Sequence, residues 1–178
     1  MARVLIWLVG MLLAVPGSAQ FFPPVKEKTS ITGIGIYKEI GYRNSYLLTL
    51  DLAREYRLRT WFSLGAEGNI YRFTSGDYST AGFSLRPVTR LYFYPGKQVN
   101  IFGETKGGII FMVPQNPDKL INFTFTATLG ADWYFKERMA VRLSGGYTHF
   151  SNGKPSAELR NPTWDGIGMS VALVRRLR

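Results

Sequence analysis

The chain has 178 residues and a formal net charge of +10, with 46% hydrophobic and 15% aromatic residues but only 19% charged residues. It contains no cysteine and one histidine, which excludes disulfide frameworks, thiolate metal sites, cysteine nucleophiles and multi-histidine metal centres. We therefore expect a protein without a metal or a cofactor, in which any acid–base chemistry passes through His149 or through carboxylates.

The first nineteen residues have the pattern of a secretory signal peptide. Arg3 gives a positive start, residues 4–15 form an apolar run, and residues 16–19 supply small residues before a predicted cleavage after Ala19. The alternative is a membrane anchor, but the apolar run is shorter than the ~18 residues that a spanning helix needs. We predict a signal peptide at 1–19 and an exported protein.

The rest of the chain alternates between apolar and polar residues, as strands with two different faces do. Within residues 121–135, Phe123 and Phe125 share one face, whereas Thr124 and Asp132 share the other. Eight segments of this kind are bounded by turn residues: 30–39, 45–54, 57–71, 80–94, 98–113, 121–135, 138–150 and 166–177.

These predicted strands, of about 10 to 16 residues, are longer than usual and match the ~9 to 11 tilted residues that cross a bilayer. With the signal peptide, this length predicts an all-β fold, an eight-stranded antiparallel transmembrane β-barrel over residues 20–178. The alternative is a soluble sandwich or lipocalin-like barrel with the apolar faces inside. The polar faces favour the transmembrane barrel, because their charges suit a narrow lumen of paired acids and bases. The predicted lumen charges are Asp51, Glu67, Glu104, Asp132, Arg59, Arg86, Arg90, Lys106 and Arg142.

The joints between the predicted strands are alternately short and long. Short joints are predicted at 55–56, 95–97 and 136–137. Longer joints are predicted at 74–79, 114–119 and 151–165. Outer-membrane barrels keep short turns on the periplasmic side and longer loops outside, so this order predicts a periplasmic amino terminus.

One short segment carries candidate catalytic residues. His149 and Ser151 are two residues apart on the seventh strand, so they share a face and lie about 6.6 Å apart along it. A histidine base and a serine nucleophile could pair at this spacing. Both are in phase with Leu143 and Tyr147 on the lipid-facing side, beside the longest predicted loop. The alternative is that His149 is an interfacial residue and that residues 151–153 only open a turn.

Residues 149–153, His-Phe-Ser-Asn-Gly, stand on the penultimate strand of a short exported barrel and are followed by Asn161-Pro162 and a final strand. In this arrangement the chain resembles the lipid A 3-O-deacylase (PagL-like, acyloxyacyl-hydrolase-type) family of the outer membrane. The resemblance is architectural over most of the barrel, and its specific part is residues 145–170.

The resemblance implies a serine esterase that removes the 3-O-linked acyl chain of lipid A in lipopolysaccharide at the outer leaflet. Ser151 would be the nucleophile and His149 the general base. Asn152 matches the family residue that helps to stabilise the oxyanion.

The acid of the implied triad departs from the family pattern. The family carries a glutamate early in the final strand, and the comparable position here is Gly168. Asp165 is the predicted substitute, because it is in phase with the lipid-facing residues of that strand, and Glu158 in the preceding loop is the alternative acid.

Two classes of function therefore remain at the level of the sequence. One is a lipid A deacylase, and the other is a non-enzymatic eight-stranded outer-membrane barrel that acts in adhesion or envelope stability. For either, we expect location in the outer membrane, insertion by the barrel-assembly machinery and no nucleic-acid partner. Lipopolysaccharide is the expected partner of the enzyme, and the sequence leaves a homodimer open.

Overall fold

The structure is a computed structural model that describes residues 27–41, 43–75, 78–113, 121–151 and 164–177. The predicted signal peptide at 1–19 lies outside these residues. Within the described ranges, no helix has the length and apolar character needed to cross a membrane.

Eight antiparallel strands form one closed barrel in which each strand pairs with its neighbours in the sequence. The first strand also pairs with the last, so the sheet has no free edge. The strands are β1 (Glu27–Glu39), β2 (Ser45–Arg59), β3 (Phe62–Ser75), β4 (Tyr78–Pro95), β5 (Val99–Val113), β6 (Ile121–Lys136), β7 (Met139–Ser151) and β8 (Trp164–Arg176). The predicted eight-stranded antiparallel barrel is confirmed.

The two ends of the barrel differ in their connections. At one end, here called the turn end, neighbouring strands are joined by residues 60–61, 96–98 and 137–138. At the other, the loop end, they are joined by residues 40–44, 76–77, 114–120 and 152–163. The joint after β3 is shorter than the predicted 74–79, because β3 and β4 extend their pairing to Ser75 and Tyr78.

The outer wall of the barrel is apolar and the inside is polar. Leu143 and Phe123, predicted to face lipid, are 61% and 54% exposed. Asp132 and Arg142, predicted to face the lumen, are 0% and 5% exposed. Since lipid cannot solvate an unpaired backbone edge or a charge, a closed sheet with this polarity is suited to a membrane and not to water.

Paired charges fill the middle of the lumen. The guanidinium of Arg90 makes ion pairs with both Glu55 and Glu104. Arg142 donates from Nε to Asp132 Oδ1 at 2.6 Å and from Nη2 to Asp132 Oδ2 at 3.0 Å. Such mutual neutralisation is what allows these charges to be buried.

A second group of charges lies beside the first. Arg86 pairs with Glu67, and Lys106 lies 2.6 Å from Glu67 and 3.1 Å from Glu104. Arg59 does not belong to this group, contrary to the sequence prediction, because it lies at the end of β2 and donates to the carbonyl of Leu58 at 3.1 Å.

The turn between β2 and β3 lies at residues 60–61 and not at 55–56 as predicted. Glu55 faces inward and is 2% exposed, so its charge belongs to the lumen network. The pairing of β2 with β3 is irregular between Arg57 and Arg59, just before the true turn. The sequence does not reveal the lumen role of Glu55, because its partner Arg90 lies 35 residues later.

Apolar side chains close the lumen on both sides of the charged layer. The loop-end cluster consists of Tyr37, Leu47, Tyr71, Ile110 and Trp164. The turn-end cluster consists of Ile31, Ala53, Tyr134, Ala140 and Val174. The lumen is therefore a packed core in three layers and not an open channel.

Candidate active site

The candidate catalytic residues lie where β7 and β8 pair at the loop end. His149 on β7 is directly opposite Asp165 on β8. The Nδ1 atom of His149 is 2.8 Å from Oδ1 of Asp165, which is hydrogen-bond distance. The two side chains are 31% and 44% exposed on the outer wall. Their contact leaves Nε2 as the imidazole nitrogen that can act on another group.

An aromatic pair on the inner face holds this register. Phe150 is opposite Trp164, and their rings stack with centroids 5.3 Å apart at an angle of 22°. The indole Nε1 of Trp164 donates to Ser45 Oγ at 3.0 Å, which ties β8 to β2 across the lumen. Because neighbouring residues on a strand face opposite sides, this inner pair places His149 and Asp165 together on the outer wall.

Ser151 is the last residue of β7 and lies opposite Phe123 of β6. It shares the outer face with His149 and is half-buried. Among the described residues, no hydrogen bond joins Ser151 to His149. Catalytic hydrogen bonds are often loose before substrate binds, and a rotation about the Cα–Cβ bond of serine redirects its hydroxyl.

Tyr147 is a member of this cluster that the sequence analysis did not identify. Its hydroxyl donates to Asp165 Oδ1, the same oxygen that contacts His149. The rings of Tyr147 and His149 are nearly parallel, with centroids 6.5 Å apart. The spacing of two residues to His149 was a usable signal, but the contact also depends on the register of β8, which the sequence leaves open.

Position 168 cannot supply the acid. Gly168 follows the inward parity of β8, opposite Gly146 on one side and Tyr37 on the other. A Cβ atom there would lie 2.1 Å from the carbonyl oxygen of Ile36, so a larger side chain has no room. The predicted oxyanion residue Asn152 and the alternative acid Glu158 both lie outside the described residues.

Two shallow grooves of about 490 and 750 Å³ meet below the cluster on the outer wall. Both are lined by Gly145 and Leu129, and the smaller also by Ala127 and Tyr147. Small residues bordered by leucines make a surface that can accept an extended apolar chain. No group of three metal-ligating side chains occurs in the described part of the chain.

A family profile described as lipid A 3-O-deacylase (PagL) matches residues 40–174, about three quarters of the chain. The matched region contains all the residues of the cluster. A search of curated proteins found no match.

Solved outer-membrane barrels have the same fold. The outer membrane enzyme PagL is 15% identical with a TM-score of 0.54, covering 82% of this chain and 97% of that one. Neisserial surface protein A is 10% identical with a TM-score of 0.59, covering 85% and 96%. The N-terminal β-barrel domain of Pseudomonas aeruginosa OprF is 12% identical with a TM-score of 0.58, covering 85% and 99%. At these identities the likeness concerns the fold alone.

Proposed function

Because the chain belongs to the lipid A 3-O-deacylase (PagL) family and is an outer-membrane β-barrel, we propose that it is a serine esterase acting on lipid A. Its reaction is hydrolysis of the 3-O-linked acyl ester of lipopolysaccharide at the outer leaflet. The observation that carries the proposal is the 2.8 Å contact of His149 with Asp165 on the lipid-facing wall, two residues from Ser151.

In the proposed mechanism, Ser151 Oγ attacks the ester carbonyl while His149 Nε2 takes the hydroxyl proton. The ester C–O bond then breaks, and His149 returns the proton to the 3-oxygen of the sugar. Water, deprotonated by the same imidazole, releases the fatty acid from Ser151. Asp165 holds the imidazole in the tautomer that exposes Nε2 and stabilises its charged form.

Asn152 is proposed as the residue that stabilises the oxyanion, because a side-chain amide beside the nucleophile can donate to a developing negative charge. The place of the cluster also supports a lipid substrate. Its residues face the hydrocarbon side of the wall at the loop end, and the grooves at Gly145 begin directly below.

The test is mass spectrometry of lipid A from cells that express the protein or its variants. Ser151→Ala and His149→Ala should each lower deacylation by about 10³-fold or more, and the double variant should be scarcely worse than either, because the two residues act as one unit. Both side chains lie outside the lumen network, so heat-modifiable migration on a gel should be unchanged. Full activity of Ser151→Ala would refute the assignment, and wild-type protein without deacylation would favour the non-enzymatic barrel.

A further inference from the structure

We infer that Tyr147 is a positioning residue of the proposed esterase, acting on His149 through the carboxylate of Asp165. The inference rests on the proposed function. Its basis is that Asp165 Oδ1 accepts two hydrogen bonds, one from the Tyr147 hydroxyl and one from His149 Nδ1.

The register of β7 and β8 explains how both donors reach one oxygen. His149 is directly opposite Asp165, whereas Tyr147 is opposite Ile167, two residues further from the loop end. The longer tyrosine side chain reaches diagonally across the strand pair, and diagonal neighbours lie within reach of aromatic side chains. The two rings leave β7 in parallel, at an angle of 15°, so both approach the carboxylate from the same strand.

The hydrogen bond from Tyr147 restrains the carboxylate of Asp165. Aspartate is one methylene shorter than glutamate, and the Asp165 side chain is 44% exposed on the outer wall. With His149 as its only partner, the carboxylate could turn away and leave the imidazole tautomer undefined. Hydrogen bonds to an ionised carboxylate are about twice as strong as neutral ones, so the Tyr147 hydroxyl holds the carboxylate in place.

The same contact satisfies Tyr147 itself. A phenol on a lipid-facing wall keeps its polar tip paired or in the headgroup region. Asp165 lies nearer to the loop end than Tyr147, and the Tyr147 hydroxyl donates to its carboxylate. The hydroxyl is therefore paired within the site, and it can affect turnover through Asp165 without contact with the substrate.

The first test is steady-state kinetics on the full-length mature protein in vesicles containing lipopolysaccharide. Tyr147→Phe removes only the hydroxyl, and we expect kcat to fall about 3- to 10-fold with KM unchanged. In an Asp165→Asn background the same change should have no further effect, because its path to His149 is already broken. The matched control is Tyr94→Phe, which removes the hydroxyl of an exposed tyrosine at the turn end and should retain wild-type kcat.

The second test does not depend on activity. His149 is the only histidine in the chain, so ¹⁵N-histidine labelling gives the NMR signals of one imidazole. In the wild type we expect a neutral tautomer with the proton on Nδ1, and in Tyr147→Phe a mixture of both tautomers. Tyr94→Phe should leave the spectrum unchanged.

Unchanged kcat together with an unchanged imidazole spectrum in Tyr147→Phe would overturn the inference. So would an equal loss of kcat in the wild-type and Asp165→Asn backgrounds, because Tyr147 would then act without Asp165. If the wild type does not deacylate lipid A, the proposed function fails, and the imidazole spectrum still decides whether Tyr147 orders His149.

Discussion

Asp165 is the residue where this chain departs from the expected family pattern, and its surroundings explain how it can act as the proposed acid beside His149. It is the only described carboxylate that contacts His149, and the contact is made from the directly opposite position on β8. Gly168, where the family glutamate was expected, occupies an inward-facing position of β8. A carboxylate three residues earlier thus lies on the correct face, closer to the loop end.

We expect Asp165→Asn to lower turnover by about one to three orders of magnitude, less than the loss in a fully buried triad. The amide keeps the shape of the side chain but no longer stabilises the imidazolium. Glu158→Gln should remain near the wild type. Deacylation rates of the two variants in the same vesicles decide between the acids, and the reverse ranking would transfer the role to Glu158.

The strand is the scale at which the sequence was most informative. Alternation grouped the side chains into two faces, and the charges on one face assigned that face to the lumen. Arg59, at the end of β2, was the exception. Alternation also placed His149, Ser151 and Asp165 on one wall. The predicted position of the turn after β2 was wrong. Glu55 can be recognised as a lumen residue only from its ion pair with Arg90, which the sequence does not show. The Tyr147 contact could not be predicted, because the sequence alone does not give the register of β8 against β7.

The outer face of β7 offers a test of the grooves. A Cβ atom at Gly145 would come no closer than 3.5 Å to the carbonyl oxygen of Gly168, so a side chain fits without strain. We expect Gly145→Leu to fill the point where the two grooves meet and to lower kcat/KM for long acyl chains by about 10-fold, while short-chain esters are affected less.

Gly68→Leu is the matched control for this change. Gly68 is also on the outer wall, on β3, and a Cβ atom there would meet only Leu85 Cδ2 at 4.0 Å. It should fold and turn over all chain lengths as the wild type does. Equal losses in Gly145→Leu and Gly68→Leu would mean that the grooves at Gly145 do not hold the acyl chain.

At the scale of the whole molecule, the charged middle layer joins β2, β4 and β5 inside the lumen. Arg90 is 1% exposed and is the common partner of Glu55 and Glu104. Its guanidinium also lies 4.6 Å from the ring centroid of Phe102, which Arg142 approaches to 4.8 Å. Removing this one cation leaves two buried carboxylates without their main partner.

We therefore expect Arg90→Ala to lower the free energy of unfolding by about 3 kcal/mol. The midpoint temperature of the heat-modifiable gel shift measures the effect. Arg54→Ala removes an exposed arginine next to Glu55 on the same strand and should shift the midpoint little. A midpoint for Arg90→Ala equal to that of Arg54→Ala would show that the lumen charges do not hold the barrel together.

The seam between β1 and β8 joins the first and last strands of the barrel, and the candidate site borders it. The backbone N–H of Ile40, just after β1, donates to the carbonyl oxygen of Asp165 at 2.8 Å. The backbone of Asp165 is therefore held from two sides, by β7 through the strand pairing and by Ile40 across the seam. In an unfinished barrel only the β7 side could pair. In the proposed enzyme, the acid would then be held from both sides only after the barrel has closed.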